Sequence, residues 1–261
     1  MAVDAYVPGS VTVIFVPQDG NRSLGVSFAT DDGARITVER APETIVYLDG
    51  EQAEVEPVAG VLRRLGVTAT VRLETDVPIG CGFGVSGAAT LGTALAANAL
   101  HDLGHERDAL VDKAHRAEVE AGTGLGDVFI QDRGGLVWDR GNGVRRAART
   151  DPIAYESFGG VATADVLGDA GAMERVTKVG TRALRRADPT GPFADLLQVS
   201  WVFAGETNLA TDWVHTTVER VREAGGVATM AMIGETVIAT GAATGTLAHT
   251  THITPTGAQL L

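Results

Sequence analysis

One cysteine, Cys81, is all the chain contains, so no intrachain disulfide can form and no zinc site built on several thiolates is available. Lysine is nearly missing too: Lys113 and Lys178 are the only two, and the other basic side chains are arginines. With a formal net charge of -12 the chain lacks the basic footprint that nucleic acid requires. No apolar run approaches the roughly 18 residues of a membrane span. The opening MAVDAYVPGS has no basic segment leading into an apolar one. The composition therefore predicts a soluble, cytoplasmic protein with no nucleic-acid or membrane partner. An acidic, lysine-poor surface suits very high salt, where ions screen self-repulsion and carboxylates hold hydration water, so a halophilic archaeal source is the expectation.

What the chain does have is 44% hydrophobic residues over 261 positions, enough for one large domain or two modest ones. Short, partly alternating apolar runs predict strands at Ala5 to Val7, Val11 to Phe15, Leu24 to Ala29, Arg35 to Glu39 and Thr44 to Leu48. Asp32-Gly33 and Asp49-Gly50 read as turns. A helix is expected from Glu56 to Leu65, stopped by Gly66, then a strand from Thr68 to Leu73. Two helices follow, Ala88 to Leu103 and Arg107 to Ala121, and then a strand near Leu136 to Trp138. The turn Arg140-Gly141-Asn142-Gly143 leads into one more short strand.

Asp151-Pro152 reads as a linker, dividing the chain into 1–150 and 151–261. Beyond it the pattern predicts a strand within Gly160 to Val166 and helices near Gly171 to Arg186, Phe193 to Leu197 and Leu209 to Glu223. Strands at Val227 to Ile233, Thr236 to Thr240 and His249 to Thr254 close the chain. Strands and helices mix without strict alternation, which indicates α+β.

The densest signal is Pro78-Ile79-Gly80-Cys81-Gly82-Phe83-Gly84-Val85-Ser86-Gly87-Ala88-Ala89, between a strand and a helix. Glycines let backbone N–H groups approach an anion, and the next helix adds free donors and a positive dipole end. Gly82 to Gly87 formally matches G-x-G-x-x-G. A dinucleotide fold needs a strand after the first helix, however, and here a second helix follows. A Walker A loop is excluded because no Gly-Lys-Ser/Thr is present. A bare turn would not require so many glycines. His101 and His105 have the spacing of helix-borne zinc ligands but no His-Glu-x-x-His around them, and read as exposed histidines at a helix end.

Three segments in order resemble the GHMP kinase superfamily. Gly82-Phe83-Gly84-Val85-Ser86-Gly87-Ala88 is similar to its phosphate loop, with Val85 in place of the pattern's first serine. Pro8-Gly9-Ser10-Val11-Thr12-Val13-Ile14-Phe15 looks like its N-terminal motif, although many members carry a lysine where this chain has Ser10. Gly225-Gly226-Val227-Ala228-Thr229-Met230-Ala231-Met232-Ile233-Gly234 resembles its glycine-rich C-terminal motif. Between them stand His115-Arg116-Ala117-Glu118 and Gly122-Thr123-Gly124-Leu125-Gly126-Asp127. Within the superfamily, these words are similar to those of the archaeal pantoate kinases.

The resemblance implies a two-domain fold, ribosomal protein S5 domain 2-like at the N-terminus and ferredoxin-like at the C-terminus, acting on pantoate with ATP and Mg2+. It assigns nucleotide binding to Pro78, Gly80, Cys81, Gly82, Phe83, Gly84, Val85, Ser86, Gly87 and Ala88. Ser86 and Glu118 would hold the metal, with Glu120 the competing carboxylate. Asp127, in a glycine-rich loop, would act on the substrate hydroxyl. Ser23, His115, Arg140 and Thr163 would bind pantoate or phosphates. Mevalonate, homoserine and shikimate are the alternative substrates, and a non-catalytic binder on the same fold is the alternative class. A homodimer is the assembly the family suggests.

Overall fold

The computed structural model describes residues 1–18, 22–124, 126–160, 166 and 168–261. Thr163, and most of the strand expected at Gly160 to Val166, lie outside the described residues.

Two long antiparallel strands organise the first layer. β1 (Ala2–Gln18) and β2 (Arg22–Arg40) absorb four of the expected short strands. Asp32-Gly33 is therefore not a hairpin turn. Pro8 pairs with Gly33 and Gly9 with Thr30, so Asp31 and Asp32 are extra residues in a bulge that bends the ladder without ending it. The expected turn at Asp49-Gly50 does form, joining β3 (Ile45–Leu48) to β4 (Glu51–Gln52) with both residues at positive φ.

The opposite edge of β2 is shared. Ala34 to Arg40 pair with β5 (Ala69–Thr75), and Gly25 to Phe28 pair with β6 (Leu136–Asp139). β7 (Arg145–Ala147) extends β6. Strand β12 (Gln259–Leu260), which the sequence pattern did not signal, returns to pair with β1 at Ala5 and Tyr6.

Helix α1 (Glu56–Leu65) ends where Gly66 adopts the left-handed conformation and its N–H caps the last turn, as expected. Helix α2 (Val85–His101) starts three residues earlier than its periodicity suggested. It is buried on nearly every side, because it lies between the sheet, α1 and α3 (Arg107–Ala121). Its Leu91, Ala94 and Ala97 belong to the same hydrophobic core as Ile36, Val38 and Val61. A short helix α4 (Asp127–Arg133) then replaces the open loop expected at Asp127: Asp127 is its first residue.

The second layer starts at β8 (Pro152–Ser157), so Pro152 opens a strand instead of a linker; proline is acceptable at a strand's first residue. Helices α5 (Ala170–Arg186), α6 (Phe193–Thr207) and α7 (Asp212–Glu223) precede β9 (Gly226–Met230), β10 (Thr236–Gly241) and β11 (His249–His252). Helix α6 runs ten residues beyond its expected end, since Ser200, Trp201, Phe203 and Ala204 bury a face against β9 and β1. The sheet order β11-β8-β10-β9, taken in chain order as 4-1-3-2, is that of a ferredoxin-like sheet. The two layers meet along β1, where Ser200 Oγ of α6 donates to the Val13 carbonyl at 2.8 Å.

Candidate functional site

The glycine-rich run sits at the seam between the layers. Cys81 and Phe83 turn inward: Phe83 packs edge-to-face on Tyr155 with ring centroids 4.8 Å apart. The Cys81 thiol is buried, and that burial pushes its pKa up. Between these anchors Gly80, Gly82 and Gly84 present bare backbone to a cavity of about 640 Å³, together with Val85 and Ser86 at the start of α2. Pro78, Gly87 and Ala88 do not line it. The glycine-rich C-terminal segment covers the loop from the other side. Met232 N–H donates to Thr12 O at 2.8 Å, Thr236 Oγ1 donates to Cys81 O at 2.7 Å, and Met232 and Ile233 form one wall of the cavity.

Two carboxylates are held by hydroxyls here: Asp127 lines the cavity, and the buried Glu118 lies just behind its wall. Glu118, 3% exposed on α3, accepts Ser86 Oγ at 2.9 Å and Thr90 Oγ1 at 2.6 Å on Oε1, and Thr123 Oγ1 at 2.8 Å on Oε2. Burial raises its pKa, the three hydroxyls oppose that rise, and nearby Asp127 adds to it. The competing Glu120 points outward and is ion-paired with Arg64. Asp127 accepts Ser10 Oγ at 2.7 Å on Oδ1. Burial also raises its pKa, and the Ser10 bond pulls it partly back.

Gly124 separates the two carboxylates. A Cβ there would lie 3.2 Å from Glu118 Oε2 and 3.6 Å from Asp127 Oδ2, so both oxygens look into the space the missing side chain leaves. Gln131 of α4 ties Asp127's helix to the loop by donating Nε2 to Gly84 O at 2.8 Å. Gln131 and Ser10 were not singled out as partners of these groups from sequence; each acts through a contact far along the chain.

Ser10 is the hydroxyl that holds Asp127 Oδ1. Ser10→Ala should therefore shift the acid limb of kcat/KM to higher pH, because the bond that lowers Asp127's pKa is lost, and should reduce kcat by about tenfold or more. A pH–rate profile of wild type and variant tests this; coincident acid limbs would refute the role.

The substrate candidates separate. Ser23 lines the cavity. His115, one turn before Glu118 on α3, packs its ring on Phe129 at 4.8 Å between centroids and does not itself line the cavity. Arg140 lies off the cavity, its Nη1 donating to Ala187 O at 3.1 Å.

The site also fits a magnesium ion. Ser86 and Glu118 supply hard oxygen donors beside the glycine loop. Among the described residues no three His, Cys, Asp or Glu side chains converge into a complete ligand set. That suits Mg2+, which is commonly bound by one or two carboxylates with phosphate and water oxygens making up the remainder.

A cavity lined by glycine backbone, the start of a helix and Asp127, with the buried Glu118 just behind it and a sheet layer of 4-1-3-2 order above, is the arrangement expected of a phosphotransferase of small molecules, and known proteins agree. Residues 54–135 match the GHMP kinases N terminal domain, and the chain is a kinase that resembles those of the GHMP superfamily. Among its relatives, it is 28% identical over 258 residues to a pantoate kinase of Methanospirillum hungatei, covering 92% of this chain and 87% of that one. It is 26% identical over 247 residues to a pantoate kinase of Methanocaldococcus jannaschii, covering 89% and 90%.

Among solved structures, a phosphotransferase related to the CoA biosynthesis pathway superposes with a TM-score of 0.84 at 20% identity, covering 100% of this chain and 99% of that one. The homoserine kinase of Cytophaga hutchinsonii superposes with a TM-score of 0.69 at 15% identity, covering 100% and 97%. These structural likenesses support the two-domain fold.

Proposed function

We propose that the protein transfers the γ-phosphoryl group of ATP to the primary hydroxyl of (R)-pantoate, giving 4-phosphopantoate and ADP. The observation that carries this reading is that Ser86 and Asp127 line one cavity beside the glycine loop and the start of α2, with Glu118 bonded to Ser86 directly behind that wall. The similarity to two archaeal pantoate kinases supports the choice of substrate.

In this reading the backbone of Gly80 to Gly84 and the N-terminal turn of α2 receive the phosphates. Ser86 and Glu118 would hold Mg2+, which when bound would neutralise phosphate charge. Asp127 uses Oδ1 to accept from Ser10 and offers Oδ2 to the substrate hydroxyl. The hydroxyl oxygen forms the new bond to the γ-phosphorus as the bond to the β–γ bridging oxygen breaks. The proton passes to Asp127 and ADP leaves. Such a transition state is loose, so positioning and charge neutralisation count for more than a strong base.

Residues 1–150 then supply the loop and both carboxylates, while 151–261 close the cavity through Met232 and Ile233. Among the described residues no helix is long and apolar enough to cross a membrane. A cytoplasmic enzyme adapted to high salt is the setting that the acidic, lysine-poor composition supports, and assays belong in molar salt.

ADP release from ATP, compared across pantoate, mevalonate, homoserine and shikimate, tests the proposal. Release with pantoate alone is expected. Transfer to another of these acceptors in preference to pantoate reassigns the substrate, and no transfer to any of them leaves a binding protein on a kinase fold.

A further inference from the structure

A hydroxy-acid substrate brings a carboxylate into a cavity whose described walls include the carboxylates of Asp127 and Asp139. Without a cation the like charges would repel it. Arg140, the sequence-based candidate, points elsewhere and donates to Ala187 O. Of the described side chains that line the cavity, only Arg133 is cationic.

Arg133 has no acidic partner among the described residues, in contrast to arginines such as Arg149, which is paired with Asp151. Its Nη1 donates to the Phe129 carbonyl at 3.3 Å, and the guanidinium carbon lies 6.0 Å from the centre of the Phe129 ring. The other N–H groups of the fork have no protein acceptor among the described residues. Phe129 also lines the cavity, so the guanidinium is steadied at the cavity wall with donors to spare.

On the basis of the pantoate reading above, we infer that Arg133 receives the substrate carboxylate and sets the enzyme's preference for hydroxy acids over neutral alcohols. Asp127 and Arg133 are the two ends of α4, six residues apart, which is roughly 9 Å along a helix axis. Pantoate spans roughly 5 Å from carboxylate to primary hydroxyl at ordinary bond lengths. Arginine's long side chain closes the remaining distance of roughly 4 Å. One short helix thus measures the substrate: its first residue meets the reacting hydroxyl and its last meets the acid group. The planar fork matches a carboxylate with two parallel hydrogen bonds.

The test compares wild type with Arg133→Gln, Arg133→Lys and Arg140→Gln. Acceptors are pantoate and the triol in which the carboxylate is replaced by CH2OH. Wild-type transfer to pantoate is scored first, since its absence sinks the underlying reading and this proposal with it. Given that transfer, Arg133→Gln should raise KM for pantoate by ~10- to 100-fold, the loss expected for a charged hydrogen-bonded pair, with KM for ATP and the melting temperature unchanged. Arg133→Lys should recover part of the loss. The variant should also lose the wild type's preference for pantoate over the triol, a change that a merely structural role would not produce. An unaltered KM and preference in Arg133→Gln overturn the proposal while leaving the kinase reading intact, and a selective rise in Arg140→Gln instead moves the carboxylate site to Arg140.

Discussion

Asp127→Asn is expected to lower turnover by about 10²- to 10⁴-fold while leaving ATP affinity near that of wild type, and at the same time to make the folded protein more heat-resistant. The two effects share one cause. Burial raises the Asp127 pKa, so the native state holds the proton more tightly than the unfolded chain. The group therefore favours folding at acid pH, below its ordinary value, and that contribution is lost as pH rises through the raised pKa.

Above the raised pKa the native fold thus carries an ionised carboxylate in a place that disfavours it. Asparagine keeps the shape, and its Oδ1 can still accept from Ser10. It removes the charge along with the only Asp127 oxygen left for the substrate hydroxyl. The melting temperature measured above that pKa should rise, by about 2–4 °C for each kcal/mol relieved in a chain of this size. The gain should shrink as the pH of the melt is lowered. Single-turnover phosphoryl transfer, nucleotide titration and melting curves at two pH values test the pair of effects. Near-normal turnover would refute the assignment of Asp127, and a melting gain that does not depend on pH would refute its electrostatic cause.

Gly84→Ala should be the most disruptive single-methyl change in the site. Gly84 is at φ +65°, and a Cβ there would lie 2.2 Å from Ser10 Oγ and 3.2 Å from Asp127 Cβ. The left-handed conformation alone costs an alanine about 1–2 kcal/mol. The larger consequence is local. Ser10 must move off Asp127, or the loop must lift away from α4 and break the Gln131 bond to Gly84 O. Displacements of about 1 Å in such a constellation lower turnover by around 10²-fold.

Gly104→Ala supplies the control. Gly104 is also left-handed, at φ +69°, but a Cβ there would meet nothing within 4 Å. It should lose a similar backbone contribution to stability and keep its activity. Equal activity losses in the two variants would show that backbone strain, not the contact with Ser10, is responsible.

Elements whose signal lies within a few residues formed where expected. Helix α1 stops at Gly66 because only glycine enters the left-handed cap without penalty, and the β3–β4 turn forms at Asp49-Gly50 for a related reason. Glu118 was recognisable because a three-residue spacing on α3 and the order of the surrounding motifs are both linear properties of the chain. The glycine run was equally legible, and the structure sharpened it: alternate residues divide between cavity and core, so Cys81 and Phe83 are anchors whose side chains face away from the cavity.

The fusion of four expected strands into β1 and β2 was not legible, because a bulge with two extra residues looks locally like a turn. The helix at Asp127 was hidden by the glycines before it, which say nothing about the packing that forms α4 against α2 and β1.

The sequence by itself determined the class of this protein: an acidic α+β kinase with a glycine-rich loop and carboxylates in a recognisable order. Only the tertiary structure decided which groups act together. Ser10 reaches Asp127 across 117 residues, Ser86 reaches Glu118 across 32, and Arg133 instead of Arg140 faces the cavity. The physical reason is that spacing along a chain specifies a helix face or a turn. Which buried carboxylate receives which hydroxyl, and which cation faces the open cavity, depends on how the sheets and helices pack.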